Sequence, residues 1–211
     1  MVRVKICGIT NWTDARLAVD AGADVLGFNF WEKSPRRIAP EYARVIAKRL
    51  PRRIYVAGVF VNAPIDKIWT IAREADLNVI QLHGDESPAD VAVIGERYTV
   101  MKAFRVSPSF NPKKLALYEA AHAFLLDGYD PDKRGGTGKV FDWRLARAAG
   151  KYGVIAVAGG IRPDNVRRAI ALARPDFVDV CSGVEASPGV KDRKLLYALM
   201  QEVERARSAA D

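Results

Sequence analysis

Cys7 closes a short apolar pattern, Val2-Arg3-Val4-Lys5-Ile6-Cys7, and a Gly-Ile-Thr turn follows at once. A thiol at the exit of a strand, beside a glycine that lets backbone come close, can be aimed into a pocket; its plain alternative is a small buried hydrophobe. A second candidate, Asp127, ends the apolar run Ala123-Phe124-Leu125-Leu126. Burial there would favour the neutral acid, the form that donates a proton. The alternative for Asp127 is a cap or turn carboxylate, since Asp130 and Asp132 follow in a loop.

Three further segments carry binding chemistry. Gly159-Gly160 and Ser182-Gly183 each follow an apolar run, and backbone free of side chains can turn its N–H groups toward an anion. A short helix N-terminus after the second would add a favourable dipole, so the pair reads as a phosphate cradle rather than two ordinary tight turns. In Lys33-Ser34-Pro35-Arg36-Arg37 the proline stiffens the loop and an arginine can grip a carboxylate bidentately, although adjacent loop arginines are commonly just solvated. Arg134-Gly135-Gly136-Thr137-Gly138-Lys139 is glycine-rich enough to cover a ligand, and it lacks the spacing of a P-loop. His83 has no second ligand at metal spacing, and His122 falls at the opposite end of its strand, so no metal site is expected.

These residues have meaning only on elements that bring them together. The chain alternates short β-branched runs with longer amphipathic stretches. The strands are expected at Val2 to Cys7, Val25 to Phe30, Tyr55 to Val61, Val79 to Leu82, Val100 to Arg105, Ala123 to Asp127, Val154 to Ala158 and Phe177 to Cys181. Helix starts are signalled at Thr13, Pro40, Pro64, Pro88, Asn111, Asp142, Pro163 and Asp192. Strands joined by crossover helices run parallel, and eight units of roughly 26 residues match a small closed (β/α)8 TIM barrel. An open doubly wound sheet would show Gly-x-Gly-x-x-Gly after its first strand, and Gly8 stands without it. No linker divides the chain, so residues 1–211 are expected to form a single barrel domain.

A barrel gathers the loops after its strand C-termini at one face. Every candidate above falls at such an exit. Lys5 and Asp179 would share the interior on the first and last strands, and a charge inside a small barrel needs a partner, so they are expected to pair.

Composition bounds the rest. A chain of 211 residues with 49% hydrophobic content can bury one sizeable core. Its net charge of +8 is scattered over helix-like stretches such as Arg44, Lys48 and Arg49, without basic-aromatic interleaving, which argues against nucleic acid and for attraction of a small anionic substrate. Charged residues interrupt every apolar run before the roughly 18 residues a membrane span needs. Two cysteines far apart, with no leader expected, fit a reducing cytoplasm and no disulfide.

Several strings then resemble one family in joint order. They are Lys5-Ile6-Cys7-Gly8-Ile9-Thr10, Lys33-Ser34-Pro35-Arg36, Gly58-Val59-Phe60-Val61-Asn62, Gln81-Leu82-His83-Gly84, Leu126-Asp127, Gly135-Gly136-Thr137-Gly138-Lys139, Ala158-Gly159-Gly160 and Cys181-Ser182-Gly183-Val184-Glu185. Together they are similar to phosphoribosylanthranilate isomerase of tryptophan biosynthesis. The resemblance implies a cofactor-free Amadori rearrangement with Cys7 as general base and Asp127 as general acid. It assigns Arg36 to the anthranilate carboxylate and Gly159, Gly160, Ser182 and Gly183 to the phosphate. A phosphorylated small molecule is the expected partner, and a monomer or a homodimer the expected assembly. The rival readings are the histidine-pathway isomerase, which is understood to use two aspartates where this chain has Cys7 first, a bifunctional enzyme, and a non-catalytic phosphate-ligand barrel, which would need neither acid nor base.

Overall fold

The computed structural model describes residues 1–128 and 141–209. The glycine-rich segment Gly135-Gly136-Thr137-Gly138, read above as a ligand cover, lies outside the described residues. Eight parallel strands close on themselves in chain order, β1 pairing with both β2 and β8. They are β1 (Arg3–Cys7), β2 (Val25–Asn29), β3 (Tyr55–Phe60), β4 (Val79–Leu82), β5 (Thr99–Val106), β6 (Ala123–Gly128), β7 (Val154–Val157) and β8 (Phe177–Val180). The expected strands stand within one or two residues of these bounds, because parallel strands covered on both faces read as nearly continuous apolar runs.

Crossovers are made by α1 (Trp12–Ala21), α2 (Pro40–Ala47), α3 (Ile65–Glu74), α4 (Pro88–Gly95), α5 (Arg144–Ala149), α6 (Val166–Ala173) and the closing α7 (Arg193–Ser208). The cap of α1 stands two residues ahead of the Thr13 signal, at Asn11, whose side chain accepts the Asp14 N–H at 2.9 Å. The fifth crossover departs more clearly from expectation, forming a 3-10 segment over Pro112–Tyr118 instead of an α-helix. Its buried residues, Leu115 and Tyr118, are three apart, the repeat of a 3-10 turn. Asp192 caps α7 as expected, while the additional short helix expected directly after the eighth strand is the 3-10 turn Ser182–Val184, from which the chain doubles back through the short hairpin β9 (Glu185–Ser187) and β10 (Val190–Lys191).

Two apolar layers hold this arrangement. Ala57, Met101, Ala103, Leu125 and Ala156 fill the barrel, while Leu26, Phe28, Ile80, Leu82 and Val178 face outward onto helix residues such as Ala18, Ile68 and Leu199. Each fully buried Leu or Phe contributes about 1.5–3 kcal/mol, so the outer layer fixes strand register, and register decides which side chains reach the open end.

Candidate active site

Strand β1 turns Lys5 and Cys7 to the barrel interior, with the exposed Arg3 on the same face of the strand. Arg3 lies over the Phe177 ring at 3.9 Å, and Lys5 Nζ meets Asp179 Oδ1 at 2.9 Å, the pairing expected from their strands. Ile6 is in register with Val180, so the next step along both strands sets Cys7 beside Cys181. The S–H of Cys181 is the largest influence on Cys7, holding its thiol well below the ordinary range; burial opposes this, and the Lys5 and Lys191 ammonium groups add to it. Cys181 itself is raised well above the ordinary value, chiefly by its interaction with the Cys7 sulfur and then by burial, and its Sγ also lies 3.8 Å from Glu185 Oε1. For Lys5, burial works against the charge and Asp179 outweighs it, so the ammonium persists.

Room for this cluster comes from Gly27 on the neighbouring strand. A Cβ there would stand 2.7 Å from the Cys7 Sγ and 3.1 Å from Lys5 Nζ.

One cleft at the C-terminal end of the barrel is lined by Cys7, Asp127 and Arg36 together with Gly159, Gly160, Ser182 and Gly183. Thus every candidate among the described residues reaches one place. Gly159 and Gly160 adopt φ of 80° and 65°, backbone that side chains disfavour, and the Gly160 carbonyl is pinned by Asn165 Nδ2 at 2.8 Å. A Cβ at Gly183 would run into the Ile161 carbonyl, which brings the loops after β7 and β8 together.

A family model described as N-(5'phosphoribosyl)anthranilate (PRA) isomerase matches residues 4–202. The chain belongs to this family. It is 50% identical over 205 residues to the N-(5'-phosphoribosyl)anthranilate isomerase of Citrifermentans bemidjiense, covering 97% of this chain and 98% of that protein. The crystal structure of the Thermotoga maritima phosphoribosyl anthranilate isomerase superimposes with a TM-score of 0.91 at 43% identity, over 97% of this chain and 100% of that one. A further isomerase of the family, 41% identical with a TM-score of 0.87 over 97% and 100% of the two chains, was solved with reduced 1-(o-carboxyphenylamino)-1-deoxyribulose 5-phosphate.

Within this isomerase fold the structure adds residues that sequence reasoning passed over. His83, considered above only as a metal ligand, lies on the cleft with Nε2 at 3.2 Å from Asp127 Oδ2. The Gln81 amide nitrogen is 2.9 Å from His83 Nδ1. As a donor, that amide assigns the imidazole proton to Nε2, which then donates to Asp127. The other Asp127 oxygen, Oδ1, is buried with no partner among the described residues. One signal was legible: Gln81 and His83 alternate at the end of β4, so both point inward.

Arg36 also differs from the solvated alternative. Its guanidinium is bound by Glu185, with Nε at 2.9 Å from Oε1 and Nη2 at 2.7 Å from Oε2. The partners lie 149 residues apart, a distance that no local pattern bridges.

Proposed function

We propose that the chain carries out the isomerisation for which its family is named. It converts N-(5-phosphoribosyl)anthranilate, an aminoaldose, to 1-(2-carboxyphenylamino)-1-deoxyribulose 5-phosphate, an aminoketose, in tryptophan biosynthesis. One observation carries the reading: a thiol held toward its thiolate and a carboxyl with one buried oxygen that has no partner among the described residues line the same cleft.

Asp127 protonates the furanose ring oxygen through Oδ1, and the C1′–O4′ bond breaks to leave the open-chain iminium. Its second oxygen stays on His83, which fixes the direction in which the proton leaves. The Cys7 thiolate then takes the proton from C2′, and the electrons of that C–H bond flow into the iminium to give an enolamine. Tautomerisation to the ketone completes the isomerisation without net loss or gain of electrons.

Arg36 takes the anthranilate carboxylate, and Gly159, Gly160, Ser182 and Gly183 take the phosphate. With its two anionic ends held apart, the sugar is stretched between Cys7 and Asp127, so remote binding energy orients the reacting carbons. These are proton transfers, which ask for no cofactor. We place the enzyme in the cytoplasm, where a reducing milieu keeps both thiols free, and read residues 1–211 as one barrel domain.

The test is the loss of anthranilate-derivative fluorescence when purified protein meets freshly generated phosphoribosylanthranilate. Wild type should convert it rapidly, and Cys7→Ala and Asp127→Asn should each fall by about two to four orders of magnitude. Turnover untouched by either change would remove both residues from the reaction. No wild-type turnover would send the assignment to the sister isomerase or to a binding protein.

A further inference from the structure

Beside the cleft lies a charged cluster, Arg36, Glu185 and Lys191, whose carboxylate the acid–base chemistry does not call on. The side chain of Glu185 is only 4% exposed, yet both carboxylate oxygens are taken. Arg36 Nε reaches Oε1 at 2.9 Å and Oε2 at 3.1 Å, and Nη2 reaches Oε2 at 2.7 Å. Oε1 also accepts from Lys191 Nζ at 3.0 Å and from the Gly189 N–H at 3.3 Å. Lys191, fully buried, extends to the Cys7 carbonyl at 2.6 Å and the Cys181 carbonyl at 3.3 Å. Its own N–H is held at 2.9 Å by Asp14 Oδ2, which also accepts from the α1 cap Asn11.

A guanidinium can meet a carboxylate bidentately along its Nε–Nη2 side or across its Nη1–Nη2 end. Glu185 occupies the first. Arg36 lines the cleft, and its Nη1 has no acceptor among the described residues, so the second end remains for a ligand. The charges agree: Glu185 balances Lys191, and the surplus positive charge rests on Arg36. A long side chain fixed in one rotamer before the ligand arrives loses less entropy on binding.

We infer that Glu185, backed by Lys191, is a positioning residue for Arg36 and sets the preference of the cleft for a substrate whose aromatic ring carries a carboxylate. The inference rests on the proposed function, which makes Arg36 the partner of that carboxylate. Glu185 touches no reacting atom and reaches the ligand through the Arg36 guanidinium.

The experiment compares wild type, Glu185→Gln, Glu185→Asp, Arg36→Met and the Arg36→Met/Glu185→Gln double variant. Each is assayed for kcat and KM, and for inhibition by the reduced aminoketose phosphate analogue with and without the ring carboxylate. In Glu185→Gln, KM and the inhibition constant of the carboxylated analogue should rise on the order of ten-fold. Its kcat and its affinity for the carboxylate-free analogue should stay near wild type. In the Arg36→Met background the same change should cost nothing further. Glu185→Asp keeps the charge one methylene farther back and should give an intermediate, carboxylate-specific loss; it decides the matter if Glu185→Gln does not fold.

Equal weakening toward both analogues, or an additive loss in the double variant, would reduce Glu185 to a structural residue. An active wild type whose Glu185 variants keep the full carboxylate preference would overturn the Glu185 role alone. A wild type that neither converts substrate nor distinguishes the analogues would overturn the functional reading, and this inference with it.

Discussion

Lys5 and Asp179 join the first and last strands inside the barrel, 2.9 Å apart and 174 residues distant in sequence. The pair lies on the face of β1 that also carries Cys7, and it joins β1 to β8 at the floor of the cleft. Burial pushes Asp179 up to about 6 while Lys5 pulls it down. Of the two ammonium groups, Lys5 lowers the Cys7 thiol more than Lys191 does.

Removing one partner should therefore hurt more than removing both. Lys5→Met leaves a buried carboxylate uncompensated and should cost about 3–5 kcal/mol in urea unfolding. The double variant Lys5→Met/Asp179→Leu should be more stable than Lys5→Met alone. If Asp179→Asn leaves both stability and turnover untouched, the pair has neither role.

Gly27 should not accept a side chain. In Gly27→Ala the new methyl meets the Cys7 sulfur and the Lys5 ammonium, and the strain should cost about 1–3 kcal/mol. Turnover should fall further than stability requires, because the thiol is displaced from the cleft. Thermal unfolding and kcat measured on one preparation separate the two effects.

The pH dependence follows from the lowered Cys7 thiol. A base works when deprotonated, so kcat/KM should hold well below the ordinary thiol value of about 8.5 and decline only as pH falls through the lowered pKa. Cys181→Ala removes the largest cause of that lowering and should move the acid limb to higher pH. Iodoacetamide alkylation of Cys7 followed against pH gives the same shift without turnover, and an unmoved limb would remove Cys181 from the account.

Acid stability has a different source. Burial works against the Glu185 charge, but the Arg36 hydrogen bonds and Lys191 outweigh it and hold Glu185 below the usual carboxylate range. A depressed carboxylate stabilises the fold above its unfolded pKa of about 4.3, and this contribution is lost as pH falls through the lower folded value. In Glu185→Gln that part of the acid limb should be missing when unfolding free energy is measured from neutral pH to pH 3.

The barrel was legible in the sequence because its physics is local and repeated. A parallel strand covered on both faces reads as an apolar run, a crossover as an amphipathic stretch after a cap or proline, and eight such units leave little choice of topology. The fifth crossover escaped because a proline start looks alike for α and 3-10 turns, and only the three-residue spacing of Leu115 and Tyr118 against the core distinguishes them. Cys7, Asp127, Arg36 and the two glycine segments were visible because their types are unusual at strand exits.

What the chain by itself determined, then, was which residues stand at the open end and what chemistry each brings. Tertiary structure decided who touches whom. His83 meets Asp127 across an intervening strand, Cys181 meets Cys7 at the seam of the barrel, and Glu185 and Lys191 reach back to Arg36 and Cys7 through the last hairpin. Such contacts depend on closure, register and shear summed over the whole sheet, quantities that no local window of sequence contains.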